Sequence, residues 1–413
     1  MREVASASRM REFTRQSVIV TLACAAGMSV GPTPMVSAVA GMFMKPVAET
    51  FDLSRTMISA VMLMSPLAVA VFAPTGGRLL DRFGVRRVLL PVVVLFALAN
   101  AAMALVTQVW HYLALSLVIS ACISVHCYSS YTKVLALWFS RHRGVVTGAT
   151  IACGSALGAA IIPKLVQPWI ESYGWQHAYL GIAALVAFWG LPILVLFLRE
   201  PRADERAGPV EAEHAGEVPG ATPAQAIRDR VFWMLGAAMF LAPFTIIGTV
   251  AHLFPMLTER GMAGADAATV LSMIYIGGMV GQLSSGLLLD RTTSPRIVLV
   301  YFGGAALGVW LLHLSGSAAL ARPGALLLGL GQGAEMSILA YLASRYFGLR
   351  HYGAIYGRLY GFANFGIACG ILSMGAVHDL TGTYAAMGKV FAVTILLVMG
   401  LFATLPAYRF TRD

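Results

Sequence analysis

The chain reads as a series of long apolar runs separated by short clusters of Gly, Pro and charged residues. The runs begin at Val18 and end at Pro406, and each approaches the roughly 20 mainly apolar residues that a helix needs to cross a bilayer. Breaking the pattern at those clusters predicts spans over 17–44, 56–77, 88–107, 111–138, 145–168 and 177–198, then over 229–257, 267–289, 297–316, 322–346, 353–377 and 386–407. One long polar segment interrupts them, REPRADERAGPVEAEHAGEVPGATPAQAIRD, whose Pro, Ala, Glu and Gly content predicts a mobile linker. The organisation expected is a tail at 1–16, a six-helix bundle at 17–198, a linker at 199–228, a second six-helix bundle at 229–407 and a tail at 408–413.

Composition identifies the solvent of these runs. Hydrophobic residues make up 58% of the 413 and charged residues 12%, with a mean hydropathy of +0.76, whereas soluble domains carry about 25% charged residues. A water-soluble fold cannot hide that much apolar surface, so the lipid bilayer is the expected surrounding. Arg2, Arg9, Arg11 and Arg15 precede a first run as long as a full span and without a clear small-residue cleavage site, which reads as a retained first helix behind a cytoplasmic tail. Basic residues stay cytoplasmic in short loops. With the N-terminus inside, most of the 29 Lys and Arg fall on the cytoplasmic side, and only Lys45, Arg55, Arg260, Arg322 and Lys389 on the periplasmic side. Both termini are therefore expected in the cytoplasm, with the protein in the bacterial cytoplasmic (inner) membrane.

The net charge of +10 is then mostly this topological bias, dispersed over short loops, and no nucleic acid is expected as a partner. Cys24, Cys122, Cys127, Cys153 and Cys369 all lie inside apolar segments, without the paired spacing of a disulfide or zinc framework, and read as packing residues. There is no phosphate-cradling loop, no zinc-ligand spacing and no nucleotide domain, so no cofactor is expected and direct ATP-driven transport is excluded unless a partner supplies it. No nucleophile–base–orienter grouping points to an enzyme.

The two halves repeat. Asp81-Arg82 is echoed by Asp290-Arg291, Trp138-Phe139 by Tyr346-Phe347, Gly148 by Gly357 and Tyr173-Gly174-Trp175 by Thr381-Gly382-Thr383, all at a nearly constant separation. Such duplication is how many secondary transporters are built, with the solute site near the midplane between the repeats.

The loop GGRLLDRFGVRR, Gly76 to Arg87, resembles the loop between helices 2 and 3 of the major facilitator superfamily, and GLLLDRTTSPR, Gly286 to Arg296, resembles a weaker copy. The resemblance implies an all-α membrane protein with a major-facilitator-type fold: twelve transmembrane helices in two pseudo-symmetric six-helix bundles, working as a monomer. It also implies a gate in which Asp81 faces the cytoplasmic start of helix 11, where unpaired backbone N–H groups favour an anion. Arg82, Arg86, Asp290 and Arg291 belong to the two copies of that gate. Phe43, Pro46, Glu49, Phe51, Ser54-Arg55 and Ile58-Ser59, with WFSRHRG from Trp138, YGWQHAY from Tyr173 and RYFGLRHYGAIYG from Arg345, resemble the monocarboxylate-porter and oxalate/formate-antiporter branch. That branch implies small organic anions as substrates. The chain departs from it where Gln282 stands for an Arg often found in helix 8, Gly278 for an acid and Ala363 for a lysine of helix 11, so other groups must meet the anion here.

Ionisable side chains at lipid depth cost about 2.5 to 3.5 kcal/mol on insertion scales, and those that persist usually face a cavity or a partner. His126, Ser130 and Lys133 recur at helical spacing on the expected fourth span and predict one polar face. In the superfamily helices 1, 4, 7 and 10 line the cavity. Here helix 1 offers Ser29, Thr33 and Ser37, interrupted by Pro32 and Pro34, which remove backbone donors and open the helix locally. Helix 7 offers Thr245, Thr249 and His252, and helix 10 offers Gln332 and Glu335.

The candidate substrate-binding set is Lys133, Arg358, His126, Ser130, Thr33, Ser37, Thr249, His252 and Gln282, with Glu335 as the proton-coupling group. Against each stands a plainer role: Lys133 snorkelling, Arg358 answering Asp81 or a carbonyl, His126 bonding a neighbouring backbone group, Glu335 pairing with Arg358. Lys164, beside Pro163 and Pro168, reads as a snorkelling anchor. The glycine-rich stretches GATIACGSALGAA and GRLYGFANFGIACG permit close helix approach. The function expected is proton-coupled secondary transport of a small organic anion, a monocarboxylate first, by alternating access. The alternatives are an anion exchanger, an exporter of another solute, or a non-transporting sensor on a carrier fold.

Overall fold

The computed structural model describes residues 13–139, 142–201, 220–291, 294–315, 317–348 and 350–409, with the backbone alone for some helical residues. The tail up to residue 12, the centre of the expected linker at 202–219 and the side chains of Asp81, Asp290 and Arg291 lie outside the described residues.

In chain order the α-helices are α1 (Arg15–Ser29), α2 (Ala40–Phe51), α3 (Arg55–Phe83), α4 (Val85–Ala102), α5 (Val109–Ile123), α6 (Tyr128–Trp138), α7 (Arg143–Ile151), α8 (Leu157–Leu185) and α9 (Leu191–Phe197). Beyond the linker come α10 (Pro223–Arg228), α11 (Arg230–Glu259), α12 (Gly264–Arg291), α13 (Val298–Val309), α14 (Ala321–Phe347), α15 (Tyr352–Thr381) and α16 (Ala385–Ala403). Among the described residues nine helices are long and apolar enough to cross a membrane. One of these, Val145–Phe197, runs for 53 residues, about 80 Å at the rise of an α-helix, and is interrupted within α8 at Gly174, whose φ of 82° no regular helix adopts.

Local chemistry explains the departures from straight spans. Pro32 and Pro34 withhold donors from the ladder, and the first span widens into a π-helical turn over Thr33–Ser37 before α2 begins. The expected fourth span is not continuous: α5 ends at Ile123 and α6 starts at Tyr128. The Ser124 hydroxyl donates to the Ala121 carbonyl at 2.6 Å, the Cys127 thiol to the Ser124 carbonyl at 3.4 Å, and Ser130 to the Val125 carbonyl. Hydroxyls that compete for backbone carbonyls favour such breaks. His126 therefore sits in the break, and the one-faced stripe of His126, Ser130 and Lys133 expected of a single helix does not form.

By contact the chain forms two compact units, Met1–Val39 with Met64–Glu213, and Ala40–Leu63 with His214–Asp413. In the first, α1 packs on α9 and on the turn Ala152–Ala156, where a Cβ on Gly154 would collide with the Ala25 carbonyl, and a Cβ on Gly158 of α8 would lie 2.9 Å from the Ser29 carbonyl. In the second, α12 packs along α14 and α11 along α15, with Gly366 and Gly370 seated on the carbonyls of Phe240 and Phe244. Small residues thus let backbones approach, as the glycine-rich stretches predict. Connectivity suggests that residues 40–63 belong with the first bundle, but they pack in the second unit. There α2 lies on α11 so closely that a Cβ on Gly41 would meet the Ala251 carbonyl at 2.6 Å.

Large apolar side chains such as Leu22, Val71, Leu98, Phe188, Phe365 and Leu396 are exposed on these helices. In water that surface would drive aggregation; against hydrocarbon it is the expected lining.

Candidate functional site

In the second unit the polar side chains gather along α11. Thr245 Oγ1 lies 2.5 Å from Thr394 Oγ1, and Thr249 Oγ1 lies 3.1 Å from His313 Nε2. His252 is fully buried, with Nε2 3.1 Å from the Ile371 carbonyl and 3.3 Å from Ser59 Oγ, and Nδ1 3.4 Å from the Tyr384 hydroxyl. Thr249 and His252, both candidates from the sequence, therefore have side-chain partners inside this unit.

At the end of the same row Glu259 meets an arginine and a histidine. Arg55 Nη2 donates to Glu259 Oε1 at 2.8 Å, and His378 Nε2 lies 3.1 Å from Oε2. Beside them Asp379 accepts from the Arg55 N–H at 2.9 Å, the Thr56 N–H at 2.7 Å and the Thr56 hydroxyl at 2.5 Å. These are the first N–H groups of α3, which have no intrahelical acceptor, and a carboxylate there is favoured by both hydrogen bonding and the helix dipole. A pocket of about 330 Å³ adjoins the cluster, lined by Lys45, Glu49, Asp52, Arg55 and Asp379 among others.

Glu335 stands in contrast. It is 2% exposed near the middle of α14, and its Oε1 has no hydrogen-bond partner. Gln332, about one turn earlier, also carries a buried oxygen without a partner. The pairing of Glu335 with Arg358 does not occur: no ion pair joins them among the described residues, and Arg358 is exposed on α15. Gln282 is half-buried on α12.

In the first unit the opened turn of the first span carries a short hydroxyl chain. Thr33 Oγ1 lies 2.6 Å from the Tyr128 hydroxyl, which lies 2.9 Å from Ser155 Oγ, while Ser37 is exposed. Ser29 is occupied by Trp189 Nε1 at 3.2 Å. His126 is buried with Nε2 3.3 Å from the Gly27 carbonyl, and its Nδ1 has no partner. Lys133 Nζ donates to the Leu80 carbonyl at 3.1 Å, in the last turn of α3 where carbonyls lack helical donors. Of the gate residues with described side chains, Arg82 lies over the Phe83 ring and Arg86 donates to the Val195 carbonyl at 2.7 Å.

Sequence reasoning missed His313, Glu259, His378, Asp379 and Tyr384. All lie at or near span ends, where a polar residue carries no insertion penalty and so no signal. Arg55 was legible as a periplasmic charge and as part of the branch resemblance, but its partners, distant in sequence, were not.

The Major Facilitator Superfamily model matches residues 19–357, and the chain belongs to this family. It is 25% identical over 388 residues to monocarboxylate transporter 11 of Mus musculus, covering 89% of this chain and 83% of that one. It is 25% identical over 408 residues to the gallate transporter of Pseudomonas putida, covering 88% of each. A solved bacterial homolog of the human lysosomal transporter Spinster, inward-facing and occupied, superposes with a TM-score of 0.65 at 13% identity over 94% of this chain and 95% of that chain, a likeness of fold. The protein is accordingly a multi-pass membrane protein with the major facilitator fold, and its relatives include monocarboxylate transporters.

Proposed function

We propose that the protein is a proton-coupled carrier of a small organic anion, a monocarboxylate first, working by alternating access as a monomer. On this reading twelve helices cross the inner membrane with both termini in the cytoplasm, the bundles and linker divide as the apolar runs predict, and Asp81, Arg82, Arg86, Asp290 and Arg291 form the inner gate. The relatives named for monocarboxylate and for gallate support the substrate class; gallate adds an aromatic ring to the set worth testing.

Glu335 is the observation that carries the coupling. A buried carboxylate with an oxygen left unpartnered is costly while charged and is relieved by binding a proton; Glu335 is buried and its Oε1 has no hydrogen-bond partner. Arg358, with its exposed side chain, and Lys133 are the cations proposed to meet the carboxylate, with Thr33, Ser37 and Gln282 supplying polar contacts. His126, Ser130, Thr249 and His252 complete the proposed set; like Lys133 and Thr33, each bonds within its own unit and would exchange that partner for the anion.

A thermal-shift screen of purified protein against mono-, di- and aromatic carboxylates tests the substrate class, because a ligand of the native state raises its apparent stability. Monocarboxylates that stabilise the protein are expected to be taken up by proteoliposomes. If no carboxylate both stabilises the protein and enters vesicles, the reading fails, and binding without flux would favour the sensor.

A further inference from the structure

Three irregular stretches of the first unit meet at one point. The first span widens at Thr33–Ser37, another π-helical turn interrupts the helix at Ala152–Ala156, and the backbone breaks between α5 and α6. The two widened turns touch each other. All three stretches fall inside apolar runs, where irregular backbone is tolerated only if protein buries it or it lines a water-filled cavity. Widened turns of this kind are also frequent at functional sites.

One side chain joins the three. The hydroxyl of Tyr128, the first residue of α6, lies 2.6 Å from Thr33 Oγ1 and 2.9 Å from Ser155 Oγ. Ser155 is buried, Thr33 is half-buried and Tyr128 is 41% exposed, so the row is rooted in the protein yet reachable. Among the described residues no charged side chain bonds to any of these oxygens. Each hydroxyl carries one proton and two lone pairs. Two of the three protons are spent on the two bonds. The third is free, and because either atom of each pair can donate, it can stand on any of the three oxygens. The row therefore offers a donor and acceptors together. A carboxylate, which only accepts, leaves the lone pairs unused, whereas a hydroxyl donates once and accepts and so matches the row.

We propose that Thr33, Tyr128 and Ser155 select a substrate that bears a hydroxyl group besides its carboxylate. The inference rests on the proposed function, in which cations meet the carboxylate and neutral contacts such as Thr33 are left for the rest of the molecule. Tyr128 and Ser155 thereby join Thr33 as specificity-determining residues. Because the row is neutral, its contribution is that of one uncharged hydrogen bond, a preference of about threefold to tenfold in affinity.

The test is a comparison of parent and hydroxylated acids. Purified protein is titrated by thermal shift with butyrate and the hydroxybutyrates, with benzoate and the hydroxybenzoates, and with methyl esters of the hydroxy acids, which keep the hydroxyl and lose the charge. At least one hydroxy acid is expected to bind about threefold to tenfold more tightly than its parent. Tyr128→Phe, which keeps the ring, and Ser155→Ala should each bring that ratio toward one. The ratio is read within a single variant, so a general loss of fold, which weakens both ligands, does not imitate the effect. Parent acids that bind the wild-type protein as tightly as every hydroxy acid, or a preference that survives intact in both variants, would overturn the proposal while leaving the anion carrier in place. If only the esters bind, and Tyr128→Phe weakens them, the hydroxyl row stands and the anion carrier fails. If neither acids nor esters bind, both fall.

Discussion

Asp379 in the last turns of α15 accepts hydrogen bonds from the backbone of Arg55 and Thr56, so that a residue far along the chain serves as the cap of α3. The cap borrows its acceptor from another helix. Asp379→Ala is expected to destabilise the purified protein by about 1 kcal/mol, the usual loss when a capping side chain is removed. Chemical or thermal unfolding in detergent measures this, and Asp379→Asn, which keeps one acceptor oxygen, should lose less.

The seam between α11 and α15 makes a sharper demand. Gly370 rests on the Phe244 carbonyl and Gly248 faces Gly370 in return. Gly370→Val must force the helices apart, and overpacking of this kind costs about 1–3 kcal/mol or more. Lower yield of folded protein and a lower unfolding midpoint are the expected outcomes. Gly357→Ala, at a position with nothing within 4 Å of the added Cβ, should be neutral by the same measurements.

A third expectation concerns acid. Burial alone would raise the Asp229 carboxyl, but its hydrogen bond and charge pairing with Arg409 and its bond to the Val231 N–H outweigh that and hold it below the ordinary aspartate range. A carboxylate whose folded value is depressed contributes stability above the ordinary range and loses it as the pH falls through the lowered value. Unfolding measured from neutral pH downward should show this contribution fading only in acid, and Asp229→Asn should flatten that part of the profile.

Much of this was legible because the bilayer imposes a simple rule on sequence. Most runs near 20 apolar residues fell on helices, Pro32 and Pro34 marked one of the turns that widened, and the glycines at 154, 158, 366 and 370 pointed to the seams where helices touch. The break at 124–127 was not legible, because Ser124, Cys127 and Ser130 read equally well as a polar face or as hydroxyls turned back on their own backbone. The placement of residues 40–63 in the second unit was hidden because adjacency in sequence says little about packing. The Asp379 cap and the Glu259 bridge were hidden because charges at span ends are ordinary.

Coupling through Glu335 is the centre of the functional account, and the pH dependence of uptake tests it most directly. In proteoliposomes loaded at neutral pH, an acidic outer medium should accelerate the initial uptake of a stabilising monocarboxylate by the wild-type protein, while Glu335→Gln should still exchange internal for external substrate but ignore the gradient. Wild-type uptake indifferent to the gradient, or a Glu335→Gln variant that responds as the wild type does, would contradict the account.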